Sequence, residues 1–110
     1  IVYNIPMEDI INKLEIILEQ RKAESDEKSY VASLYKKGND HICNKILEEA
    51  QELVDASNMG NKEIVHESAD LLFHVLVLLA SKDIKYARIL DELIKRFGTS
   101  GIEEKNNRSK

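Results

Sequence analysis

The chain has 110 residues, enough for one domain and short of the length at which chains usually divide. Four glycines, one proline and no tryptophan are too few turn-forming and core-anchoring residues for an all-β sandwich or barrel, so helices are expected. Twenty acidic against sixteen basic residues give a formal charge of −4, which argues against a general nucleic-acid binder but leaves room for a small anionic substrate met through a local basic group or a metal.

Apolar residues at Ile10, Ile11, Leu14, Ile17 and Leu18 recur at helical spacing and predict a first helix from about Met7 to Arg21, just after Pro6. Lys22–Lys28 is polar and reads as a loop. Ser29 is placed to cap a short second helix that runs to Lys36 or Lys37 and closes at Gly38. Asn39 or Asp40 then caps a third helix that reaches about Asn58 and stops at Met59-Gly60. Asn61 caps a fourth over Lys62–Ser81, and so tight a connection predicts that helices three and four pack as an antiparallel pair. A fifth runs from about Lys85 to Arg96-Phe97, with Gly98 beyond it. The expected fold class is all-α, a bundle of about five helices around the central antiparallel pair, with the domain over residues 1–98 and a polar tail over 99–110. From Leu71 onward the fourth helix is apolar round nearly its whole circumference, so completion of the bundle by homodimerisation is expected.

The single cysteine, Cys43, rules out an intrachain disulfide and a cysteine-rich zinc site, and fits a reducing, cytoplasmic setting. Ile1–Ile5 lacks the basic start of a signal peptide. The longest apolar run, Ala69–Ala80, contains Asp70 and His74 and falls short of the about 20 residues that a bilayer requires, so no membrane partner is expected.

The acidic residues are unevenly placed. At about 100° per residue, Glu48, Glu49 and Glu52 crowd one arc of the third helix, and Glu49 borders the stripe of Ile42, Ile46, Ala50 and Leu53. Like charges three and four residues apart repel. On the fourth helix Glu67 and Asp70 share a face, and Asp70 opens the apolar run. No Lys or Arg lies between Lys62 and Lys82, so a partner from the same helix is not expected. Carboxylates crowded in this way either take up protons or are held ionised by a cation. All-oxygen ligands favour a hard ion such as Mg²⁺ or Mn²⁺, and carboxylate-held Mg²⁺ commonly serves phosphate substrates. A di-iron bundle would want two Glu-x-x-His pairs, and only Glu63-x-x-His66 is present. A dimerisation module with an acidic face is the non-enzymatic alternative.

Glu49-x-x-Glu52 followed by Glu67-x-x-Asp70 resembles the ExxE…ExxD signature of the MazG-like all-α nucleotide pyrophosphatases. The surrounding words narrow the resemblance to the phosphoribosyl-ATP pyrophosphatase family. Ser29-Tyr30 with Leu34 and Lys37-Gly38 is similar to SYTxxLxxKG, and Lys45 with Glu48-Glu49-Ala50 to KxxEEA. Glu67–His74 is similar to EAADLLYH, and the block from Arg96 through Glu104-Lys105 to Arg108 resembles RFGxSGxxEKxxR. Leu47, Val31, Phe73 and Ser68 depart from the usual Gly, Thr, Tyr and Ala, and none of these removes a candidate metal carboxylate.

The resemblance implies hydrolysis of phosphoribosyl-ATP to phosphoribosyl-AMP and pyrophosphate, the second step of histidine biosynthesis. It implies Mg²⁺, with Mn²⁺ as the alternative, and no organic cofactor. Carried onto this chain, Glu49, Glu52, Glu67 and Asp70 hold the metal, and Glu48 is a further ligand or orients the attacking water, so that Glu48 and Glu49 are the catalytic candidates. Arg21, Lys37 and Lys45 are candidate phosphate contacts; the alternatives are that Lys37 favours the end of its helix and that Lys45 neutralises Glu48, Glu49 or Glu52. Tyr30 is a candidate for stacking on the purine, and Lys105 and Arg108 for closing over the substrate. A house-cleaning (d)NTP pyrophosphatase on the same site is the alternative. His74 is expected to be a core histidine bonded to a carbonyl or carboxylate.

Overall fold

A computed structural model describes residues 9–97. The tail over 99–110, with Lys105 and Arg108, lies outside the described residues, as does the expected helix start at Met7. Among the described residues the regular structure is entirely helical: α1 (Ile10–Gln20), α2 (Tyr30–Lys37), α3 (Asn39–Ala56), α4 (Asn61–Ser81) and α5 (Tyr86–Phe97). A 3-10 turn, Arg21–Ala23, continues α1 into what the sequence reads as loop.

The Ser29 hydroxyl accepts the Ala32 N–H at 3.1 Å, so α2 begins on the expected cap. Its end is sharper than expected. Gly38 sits at φ +97°, where an L side chain is strained. Its N–H donates to the Leu34 carbonyl, and its own carbonyl accepts from Ile42 N–H. One residue therefore closes α2 and opens α3, and Asn39 and Asp40 lie inside α3 instead of capping it. Asn61 is likewise the first residue of α4 and not its cap, because the Gly60 carbonyl already accepts from Ile64 N–H. In both places the connection is one residue shorter than its polar residues suggest, and backbone alone makes the cap.

The core forms where α1, α2 and α3 meet the second half of α4. Leu18, Val31, Leu34, Ile42, Leu76 and Val77 are buried there, each contributing about 1.5–3 kcal/mol by leaving water. Three polar ties fasten this end. The Tyr35 hydroxyl donates to the Leu18 carbonyl at 2.9 Å, joining α2 to α1. Lys22 bridges Glu19 at 2.9 Å and Asp83 at 2.8 Å, joining the end of α1 to the turn after α4. Glu15 accepts the Tyr86 N–H at 2.7 Å and so caps α5 from α1.

The first half of α4 lies along α3, to which it is joined by the four residues Ser57–Gly60. The whole helix is 21 residues long with a mean hydropathy of 1.5 over its most apolar window, enough by length and composition to cross a bilayer. A count of the uninterrupted apolar run alone misses this. Here its His74, Leu76 and Val77 are buried against the other helices of the bundle. Other apolar groups are left uncovered: Leu72 is exposed, and α5 buries no residue while showing Ile89, Leu90, Leu93, Ile94 and Phe97 along one stripe.

Candidate active site

The antiparallel hairpin of α3 and α4 sets Glu49 and Glu52 against Glu67. One carboxylate oxygen from each lies within 4.8 Å of the others. Glu67 is also grouped at the same spacing with Asp70 and with His66. Three of the four carboxylates read from the sequence as metal ligands therefore meet, and Asp70 stands next to them through Glu67, which is common to both groups. Glu49 is only 8% exposed. Oε2 of Glu49 and Oε2 of Glu67 are both sealed from solvent with no hydrogen-bond donor in reach. A buried carboxylate oxygen without a donor is costly, and a divalent cation with oxygen preference fits this donor set.

Burial, then contact with Glu52, pushes the Glu49 carboxyl above the usual carboxylate range, and the Asp70 charge adds to this. Glu67 is raised for the same reasons. A cation would reverse both shifts by favouring the ionised form.

The deep carboxylate is Glu49 and not Asp70. The Asp70 side chain is 42% exposed, and its Oδ2 lies 3.3 Å from His66 Nε2 on the same helix. The sequence expectation of no partner from that helix counted only Lys and Arg. The helix enters the core at His74, one turn later, so Asp70 stays on the rim.

Glu48 belongs to neither ligand group. Lys45 donates to its Oε2 at 2.9 Å and lies 3.8 Å from Glu49 Oε1. The hydrogen bond from Lys45 is the main reason that Glu48 is held below the usual carboxylate range. The Lys45 ammonium thus sits among the carboxylates and neutralises them in part.

His74 is the core histidine expected. A carbonyl can only accept, so Nδ1 donates to the Asp70 carbonyl at 2.8 Å. In the neutral ring Nε2 then accepts from the Tyr30 hydroxyl at 2.8 Å. The tie fixes the start of α2 against α4 one turn from Asp70. Tyr30 stands edge-on to His74, with ring centroids 5.9 Å apart, and more than half of it remains exposed. A groove of about 400 Å³ opens beside it, lined among others by Arg21, Lys28, Tyr30 and Phe73. Arg21 has one long ion pair there, 3.7 Å to Glu24. Lys28 was passed over as part of a polar loop; its only sequence signal is its place just before Ser29-Tyr30. Lys37 is the last residue of α2. Its neighbour Gly38 lines a different groove with Ser81 and Lys82, at the far end of α4.

A helical hairpin that gathers ExxE and ExxD carboxylates face to face, beside a groove with cationic groups, is the architecture of an all-α hydrolase of phosphate anhydrides. The profile of the family described as "Phosphoribosyl-ATP pyrophosphohydrolase" matches residues 11–97, and the chain belongs to that family. Relatives called "Phosphoribosyl-ATP pyrophosphatase" are similar over nearly the full length. That of Vesicomyosocius okutanii is 54% identical, covering 94% of this chain and 99% of the relative. That of Ruthia magnifica is 51% identical over the same shares. That of Methylococcus capsulatus is 52% identical, covering 91% of this chain and 96% of the relative.

The raised carboxyls have a consequence for stability. Between their unfolded and folded pKa values the folded metal-free protein binds more protons than the unfolded chain, so stability falls as pH rises through that window. Glu49→Gln removes one such group. In thermal melts with chelator, the variant is expected to melt about 3–6 °C above the parent at neutral pH, with a smaller difference at mildly acidic pH. A variant that melts lower at neutral pH would contradict the assignment.

Proposed function

We propose that the chain hydrolyses phosphoribosyl-ATP to phosphoribosyl-AMP and pyrophosphate, the second step of histidine biosynthesis, at the carboxylate cluster between α3 and α4. The observation that supports this most is the buried Glu49 carboxylate, its Oε2 without a donor, held against Glu52 and Glu67 in a chain of a family described by that reaction. Glu49, Glu52, Glu67 and Asp70 would hold the cation, Mg²⁺ with Mn²⁺ as the alternative. When bound, the ion supplies charge neutralisation at the triphosphate, which otherwise repels a nucleophile.

Glu48 takes the other role. It lies outside the ligand groups, and Lys45 keeps it ionised. An ionised carboxylate there accepts a hydrogen bond from water and turns its lone pair toward the α–β linkage. Lys45 fixes the Glu48 rotamer and lowers the net charge that the substrate meets. Tyr30 offers a ring whose hydroxyl is already held by His74, so a purine can stack on it with little ordering cost. Arg21 and Lys28 line the groove beside it and supply cations for phosphate. Lys105 and Arg108 belong to the same reading as groups that close over the substrate.

The enzyme acts as a homodimer in the cytoplasm, without nucleic-acid or membrane partners. The support for the dimer is the stripe on α5 and the exposed Leu72 on α4, which a second copy would cover. Light scattering on the purified protein is expected to give twice the chain mass, and a monomer at working concentration would overturn this part.

Pyrophosphate release tests the reaction. Glu49→Gln and Asp70→Asn are each expected to lower kcat/KM for phosphoribosyl-ATP by about 10²–10³ or more, with helical circular dichroism retained. Full activity in both variants would refute the cluster. A parent enzyme that prefers dNTPs to phosphoribosyl-ATP would replace the substrate with that of a house-cleaning pyrophosphatase.

A further inference from the structure

This inference rests on the reading that the α3–α4 cluster holds a divalent cation, and deepens it. We propose that His66 is a direct ligand of that cation, and that its imidazole moves the preference of the site from Mg²⁺ toward Mn²⁺ and Zn²⁺. Sequence spacing alone gives His66 no strong claim to a role. In the structure it stands at i, i+4 to Asp70 on the first half of α4, with Nε2 3.3 Å from Asp70 Oδ2. Two ligands about 2.1 Å from one ion are about 3.0 Å apart at an octahedral angle and about 3.4 Å at a tetrahedral one. The observed spacing lies between those values, so one ion fits both atoms with little movement of either side chain.

Three further observations separate this from an ordinary surface pair. The ligand atoms of His66, Glu67 and Asp70 all lie within 4.8 Å of one another. Glu67 is at the same time part of the Glu49–Glu52 group, so the imidazole joins the one cluster and does not form a remote patch. Oε2 of Glu67 and Oε2 of Glu49, the latter residue 8% exposed, have no donor, and a cation at this place would satisfy both. The His66 side chain is itself 71% exposed, which puts it at the mouth of the cluster where an ion arrives.

An all-oxygen site discriminates weakly in favour of transition metals. A nitrogen donor changes that, because imidazole suits borderline ions far better than Mg²⁺. Glu49, Glu52 and Glu67 would still hold Mg²⁺ without His66, whereas Mn²⁺ and Zn²⁺ would gain a bond.

The test is metal binding to the metal-free full chain, read by calorimetry with Mg²⁺, Mn²⁺ and Zn²⁺. His66→Gln is expected to weaken Zn²⁺ and Mn²⁺ about tenfold or more and to leave Mg²⁺ within about twofold. Electron spin-echo modulation of the Mn²⁺-loaded parent is expected to show imidazole nitrogen coupling that His66→Gln abolishes. Equal Zn²⁺ and Mn²⁺ affinities in parent and variant, with no nitrogen coupling in the parent, would overturn the proposal and leave His66 as the ion-pair partner of Asp70. Zn²⁺ binding that survives Glu49→Gln but not His66→Gln would overturn the shared site. A parent that binds none of the three ions would overturn the cation reading of the cluster itself, which is a separate result.

Discussion

Glu49 and Glu52 on one helix meet Glu67 on its neighbour, and no donor reaches the inner oxygens of Glu49 or Glu67. Three carboxylates in such a position repel one another and lose hydration, so the rest of the molecule has to hold them there. The hairpin does this with a four-residue turn and with apolar packing beyond the cluster. Ala56 is buried beside the turn, and Ile42, Leu76 and Val77 are buried at the other end. His74 adds a polar tie at the boundary, binding the Asp70 carbonyl on one side and Tyr30 on the other. Small domains have little stability to spare, and ion binding to a preformed cluster of this kind stabilises the folded state directly.

The two ends of α4 are treated differently. Lys22–Asp83, Glu15–Tyr86 and Tyr35–Leu18 fasten the bundle around its C-terminal half. Its N-terminal half is held by α3 and carries Glu67 against Glu49 and Glu52, with Asp70 on the rim. A clamped end keeps the register of the hairpin, and hence the carboxylate spacing. The uncovered stripe on α5 lies outside this division. It is positioned by the Glu15 cap, so the same contact that closes the helix start also presents its apolar face outward.

The helical pattern was legible in residue spacing, because a period of 3.6 is imposed by backbone geometry and survives tertiary packing. So was the hairpin, since Met59-Gly60 leaves room for little else. That Glu49 and Glu52 would meet Glu67 followed from their angles on two facing helices. Depth did not. Angle places Glu49 at the border of a stripe and Asp70 at the start of an apolar run, but which is buried depends on where α4 enters the core, and that is set by α1 and α2. The Ser29 cap was legible, but the caps of α3 and α4 were not. Asn39, Asp40 and Asn61 are good capping residues, yet Gly38 and Gly60 make the turns with backbone alone. Charge partners were the least legible. Spacings of three and four residues place Lys45 to neutralise Glu48 or Glu49, and it turns to Glu48; that His66 pairs with Asp70 is decided by rotamers.

The central claim is that one cation joins the carboxylates of α3 and α4. Crystals grown with Mn²⁺ test it through the anomalous scattering of that ion. A peak about 2.1–2.3 Å from oxygens of Glu49, Glu52, Glu67 and Asp70 is expected, with Glu48 turned toward water and outside the ligand set. A cluster that stays free of Mn²⁺ at saturating concentration, with the ion seated elsewhere on the chain, would contradict it.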